Sequence, residues 1–199
     1  MTMPAMASLR GAAWLVALGA ALALASACSR RERQDDCACS QQVVDPVLLA
    51  FLSQARSAHH AADQREAAGD TAAALRTLQE LTQSHRPPGN PPEVDEVLAD
   101  TQARIADLFS SSGRFDQAAS AIEQGLESAK APTYFRGHLF EVRGVLEERR
   151  EKALRANGRG QEADQARDRS LAAYEEAMKI QASVIGSAVP AAPAPPSHP

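Results

Sequence analysis

The chain has 199 residues, 21 basic against 25 acidic for a net charge of −4, and it is 44% hydrophobic but only 4% aromatic. Without a basic patch or stripe it argues against nucleic acid as a partner. Its alanine-rich apolar content suits closely packed helices, and it is short of the β-branched and aromatic residues that sheets favour.

Residues 1–27 read as an export signal. One charge, Arg10, precedes a 14-residue apolar run from Ala12 to Ala25, followed by the small residues Ser26 and Ala27 and then Cys28. That run fits the apolar region of a signal peptide and is short for the roughly 20 residues that span a bilayer. Removing the segment deletes Arg10 and the only tryptophan, Trp14, and makes the mature chain more negative by a single charge.

Leu24-Ala25-Ser26-Ala27-Cys28 resembles the lipobox of bacterial lipoproteins, with Ala25 where that family more often has leucine. The resemblance implies that the Cys28 thiol takes a diacylglyceryl group and becomes the first mature residue. This covalent lipid is the only prosthetic group expected. Two or more acyl chains anchor a protein stably, whereas one is marginal. Ser29, by the enterobacterial sorting rule, points to the outer membrane, facing the periplasm.

Residues 28–45 are polar and charged, and read as a flexible tether. Within it stands Cys37-Ala38-Cys39. In an oxidising compartment this pair permits a strained mutual disulfide, bonds to another copy, or a redox or metal role. No partner at zinc spacing lies nearby.

A helical body is expected over 46–185. Asp45-Pro46 supplies a cap and a first-turn proline. Leu48, Phe51, Leu52, Ala55 and Ala62 share one helical face. Val94, Val97, Leu98, Ile105, Leu108 and Phe109 share a second, and Phe135, Leu139, Val142 and Leu146 a third. Strand-like alternation is absent, so the expected fold class is all-α.

Three times a glycine is followed five residues later by alanine: Gly69 with Ala74, Gly113 with Ala118, Gly158 with Ala163, at spacings of 44 and 45. Glycine ends a helix in the left-handed conformation, and alanine lets the next helix pack closely. Each unit is therefore read as an antiparallel helix pair stacked on its neighbours. The middle copy, with Ile105-Ala106, Phe109, Gly113-Arg114-Phe115, Ala118, Ile122 and Gly125-Leu126, resembles the tetratricopeptide repeat. The resemblance covers about residues 47–185 and implies an α-solenoid of about three pairs. The family period is 34. The excess here falls on the breaker-rich stretch His85–Pro92 and on a lengthened third unit from Thr133. Residues 186–199, rich in alanine and proline, read as a disordered tail.

No nucleophile elbow, phosphate loop or His-Glu-x-x-His occurs, so a non-enzymatic chain is expected. His59 and His60, adjacent on a helix, point about 100° apart and cannot share an ion. The run Glu147–Lys152 reads as a solvated face. In the tetratricopeptide family, ligands lie along a groove lined by the first helix of each pair. That resemblance places Arg56, His59 and Asp63, then Asp100, Ala103 and Asp107, then Glu148, Lys152 and Arg155 along the groove. The family's lysine and asparagine clamp for a terminal carboxylate is missing there, which favours a basic or mixed peptide surface. The resulting expectation is a lipid-anchored envelope scaffold or assembly factor that binds another envelope protein or peptide. Its rival is a self-associating structural lipoprotein, a homo-oligomer linked through Cys37 and Cys39.

The anchor is open to a direct test. Radiolabelled fatty acid should be incorporated by the wild type and not by Cys28→Ala, which should also leave the membrane fraction. An unlabelled wild type would remove the lipoprotein reading.

Overall fold

The computed structural model describes residues 45–188; the expected signal, Cys28, Cys37, Cys39 and the tail beyond Ala188 lie outside the described residues. Asp45 opens the first helix by accepting a hydrogen bond from the Val47 amide at 2.8 Å, with Pro46 in the first turn. This helix, α1, covers Pro46–Ala67, and α2 follows over Thr71–Thr82. The second pair is α3, Pro92–Ser111, and α4, Phe115–Ser128. The third is α5, Tyr134–Ala156, and α6, Gly160–Ala188. There is no strand among the described residues. The described fold is all-α, and the described residues form three helix pairs.

The hairpin in each pair is made the same way. Gly69, Gly113 and Gly158 have φ of 80°, 74° and 70°. At the first corner the Gly69 amide donates to the Glu66 carbonyl at 2.8 Å, and the Asp70 amide donates to the Arg65 carbonyl at 2.8 Å. The same two bonds recur from Gly113 to Ser110 and Arg114 to Phe109, and from Gly158 to Arg155 and Arg159 to Leu154. This crossed pair is the Schellman arrangement, which satisfies the last carbonyls of a helix and requires a left-handed residue between them. The alanines then start the next helix: Ala74, Ala118 and Ala163 donate to the carbonyls of Asp70, Arg114 and Arg159, and each alanine is 0% exposed.

The first helices stack α1 on α3 on α5, while α2 also touches α3 and α4 touches α5. One core cluster runs from Ala62 through Leu78, Leu108 and Ile122 to Leu139 and Leu146. Phe51, Val94 and Leu98 form a smaller one that joins α1 to α3. A fully buried leucine or isoleucine contributes about 1.5–3 kcal/mol relative to exposure, and those of the main cluster come from α2, α3, α4 and α5, so no pair completes its core alone.

The third pair is held differently. On α6 the buried residues are Ala163, Ala166, Ser170, Ala173, Ala177 and Ile180, at steps of three and four. They face Gly137 and Gly144 on α5, and the Ser170 hydroxyl donates to the Gly144 carbonyl at 3.0 Å. A Cβ at Gly144 would lie 2.6 Å from the Tyr174 ring. Small residues therefore set this close approach. The length beyond the family period resides partly in the connection between α2 and α3, where Gly89 and Asn90 have positive φ, and partly in the 23 and 29 residues of α5 and α6. Helix α6 runs to Ala188, three residues past the boundary expected at 185.

At Gly113 an added Cβ would meet nothing within 4 Å, so only the backbone conformation is at stake. Gly113→Ala should destabilise the protein by about 1–2 kcal/mol, the cost of a left-handed L-residue. Chemical denaturation measures it; an unchanged midpoint would show that the corner tolerates other geometries.

Candidate functional site

Two features of the stacked pairs carry functional side chains: the junction between successive first helices, and a cleft at the corners.

The junction is built from a repeated ion pair. Asp63, six residues before the first corner glycine, accepts from Arg104 Nη2 at 2.7 Å, and Glu66 shares the same guanidinium at 2.7 Å. Asp107, six before the second glycine, accepts from Arg149 Nη1 at 2.7 Å, and Ser110 Oγ lies 2.5 Å from that nitrogen. Arg104 and Arg149 each stand nine residues before the glycine of their own unit. Beside the first pair, the fully buried Thr101 spends its hydroxyl proton on the Val97 carbonyl at 2.7 Å. The His59 ring, 3.0 Å away through Nε2, is therefore the donor to Thr101 Oγ1, which selects the Nε2–H tautomer.

The groove row expected from the family resemblance is spent in part on these ties. Asp63 and Asp107 bind the next unit's arginine, His59 binds Thr101, and Ala103 is 1% exposed. Glu148 accepts from the Tyr174 hydroxyl at 3.1 Å, and Arg155 spans Glu151 and Asp164. Asp100 is half-buried, and Arg56 and Lys152 are exposed. Of the nine positions, His59, Asp63 and Asp107 are therefore engaged at unit junctions, while Glu148 and Arg155 bond within the third pair. The charge run also departs from a solvated face. Glu147 is 5% exposed and is held by Arg150 at 3.3 Å and Arg169 at 2.8 Å, while Arg149 and Arg150 reach α3 and α4. Burying a carboxylate is costly unless it is paired, which accounts for two arginines on Glu147.

The cleft lies between the second and third corners and has a volume of about 650 Å³. Its walls carry Arg114, Arg150, Arg159 and Arg169 against Asp116 and Glu162, with Phe115 and Leu154 as apolar floor. Its charge is positive in a chain that is negative as a whole. Arg150 lies over the Phe115 ring at 5.7 Å and pairs with the fully exposed Asp116 at 3.0 Å. Arg159 forks onto Glu162, one arm at 2.6 Å, and this partner holds the Glu162 carboxyl below its usual range. Arg114 stacks over Phe109 at 4.4 Å, bonds to Gln117, and has no carboxylate partner among the described residues. A space of about 330 Å³ between the first and second pairs, away from the first corner, is lined by uncharged residues, including Gln79, Gln102 and Gln124.

The cleft has a signal in the sequence. The residue after the corner glycine is Asp70 in the first unit but Arg114 and Arg159 in the next two. Asp70 caps α2 by accepting from the Ala73 amide at 2.9 Å, whereas Arg114 makes no side-chain cap for α4. Replacing a capping residue costs roughly 0.5–2 kcal/mol, so the arginine forgoes local stability where the cleft forms. Among the described residues, no three His, Cys, Asp or Glu side chains group to hold a metal ion, and no helix is long and apolar enough to cross a membrane.

The chain matches no family model, no curated protein and no solved structure.

Burial is the largest influence on His59 and lowers its affinity for a proton below the usual 6.5; Asp100 and Asp63 oppose it, and Arg104 and His60 reinforce it. A depressed folded-state value means stability that is present above pH 6.5 and lost as pH falls through the folded value. The urea midpoint should therefore drop more between pH 7.5 and 5.0 in the wild type than in His59→Gln. Equal drops would mean that protonating His59 does not disturb the junction.

Proposed function

We propose that this chain is an envelope lipoprotein, anchored by lipid on Cys28 and held off the membrane by the tether 28–45, whose helical body is a protein-binding scaffold. The bound segment is acidic and extended, and it sits in the arginine cleft between the second and third corners. The observation that carries this reading is the convergence of Arg114, Arg150, Arg159 and Arg169 on one open cleft. Arginine presents a planar fork that matches carboxylates and is less strongly hydrated than lysine. Asp116, fully exposed, is the ligand-like carboxylate already on Arg150, and a partner's acidic side chain takes its place. The groove reading from the family resemblance favoured a basic or mixed partner; the charge of the cleft favours an acidic one.

No catalytic role is assigned. Among the described residues, no buried side-chain nitrogen or oxygen lacks a hydrogen-bond partner. The lipid anchor and the tether supply the address, and the repeat body supplies the grip.

The test is a photo-crosslinking amino acid placed at Gln165 on the cleft wall or at Ser183 on the far part of α6, in cells that make the full chain. Gln165 should give one discrete adduct with an envelope protein. The adduct should vanish when Arg114 and Arg159, both exposed, are changed to glutamate. An adduct that survives this charge reversal, or one seen only from Ser183, overturns the assignment to the cleft.

A further inference from the structure

The last described unit of the stack has its charge pattern reversed. At both junctions the earlier unit presents an aspartate six residues before its corner glycine, and the later unit answers with an arginine nine before its own. On the open side of the third unit the residue six before Gly158 is Lys152, and it is exposed. Because α5 is continuous from Lys152 to its corner, this residue holds the place on α5 that Asp107 holds on α3.

The apolar part of the junction is left uncovered there too. Leu126, thirteen residues after Gly113, is partly buried against the main core next to α5. Its counterpart thirteen after Gly158 is Leu171, which is 56% exposed. Met178 and Ile185 follow at steps of seven, 60% and 65% exposed, so the three form one stripe along α6. The Tyr174–Glu148 hydrogen bond aligns the two antiparallel helices. Lys152 lies one turn beyond Glu148, and Leu171 lies about one turn before Tyr174. The basic position and the apolar stripe are therefore side by side.

We propose that this end face docks an amphipathic helix from a different protein, seated where the first helix of a fourth unit would lie. The docked helix sets an apolar row on Leu171, Met178 and Ile185 and places a carboxylate opposite Lys152. A head-to-tail second copy fits poorly, because the residue of α1 at the arginine position is His60, which brings no negative charge to Lys152. Glu148 occupies the place of the buried Ala103, with its carboxylate already bonded to Tyr174, so the docked helix meets a more polar seat than α5 has on α3. This surface is separate from the arginine cleft and does not depend on it.

The probe is a labelled synthetic peptide of residues 134–156, the helix that follows the second unit in this chain, made with the native arginine and with Arg149→Glu. Binding to the full mature chain is read by fluorescence anisotropy. The glutamate peptide should bind about two- to fivefold more tightly than the arginine peptide, the range of an exposed ion pair. Lys152→Asp should reverse the order. Leu171→Glu, at an exposed position, should remove binding of both peptides while helical circular dichroism is unchanged. Equal affinities, an order unchanged by Lys152→Asp, or no binding of either peptide overturns the proposal. So does concentration-dependent self-association that Leu171→Glu abolishes, which would assign the stripe to a second copy. Charge reversal at Arg114 and Arg159 should leave these affinities unchanged, so failure of the cleft and failure of the end face are distinguishable.

Discussion

Each described helix pair turns on a glycine held at positive φ between two crossed backbone hydrogen bonds, and the remaining geometry is referred to that corner. The corner does three things at once. It satisfies carbonyls that a helix end would otherwise leave bare, it reverses the chain within a few residues, and it sets the rotational phase of the next helix. With that phase set, the alanine five residues on falls against the partner helix, and the residues six and nine before the glycine fall on the sides that meet neighbouring units. A non-glycine residue at that φ is disfavoured by contact between Cβ and the backbone, so the interval between corners becomes the ruler for the repeat.

Registration between units comes from charge laid over an apolar core. Burial along the stack is non-directional and would tolerate sliding, whereas a guanidinium placed on a particular carboxylate does not. Arg104 and Arg149 are each about one-third exposed, so neither pair adds much stability; surface pairs contribute about 0–1 kcal/mol. Their value lies in specifying which helix follows which. The third pair relies instead on close approach of small residues, with Gly137 and Gly144 opposite the alanine row of α6. That is where the alanine-rich composition is used, and it allows α6 to run longer than the other second helices.

A stack of this kind presents both its edges and its ends. The edge between the second and third corners gathers arginines, and the end carries a lysine beside an apolar stripe. Both are basic in an acidic chain, and both arise by substitution at positions whose earlier copies are acidic: Asp70 gives way to Arg114 and Arg159, and Asp63 and Asp107 give way to Lys152. Repetition makes these substitutions readable, since an unchanged fold supplies the reference. Two such surfaces on one body fit the scaffold role proposed for this chain.

The helical class, the three corners and the buried faces were legible in the sequence, because they depend on local chemistry: a 3.6-residue apolar period, a proline after a capping aspartate, a glycine before an alanine. Phe51, Ala62, Val94, Leu98, Leu108, Leu139 and Leu146 are buried where that period put them. The partners of the charged residues were not legible. Asp63 to Arg104 and Asp107 to Arg149 are separated by about 40 residues, and Glu147 draws its second arginine from α6. Whether a charge in a helical run meets solvent or another helix depends on crossing angles that neighbouring residues do not encode. The arginine cleft likewise exists only once two corners 45 residues apart are brought alongside each other. The sequence by itself determined where the chain bends and which faces it buries; tertiary packing decided which charges are spent on holding the units together and which line the cleft or face solvent.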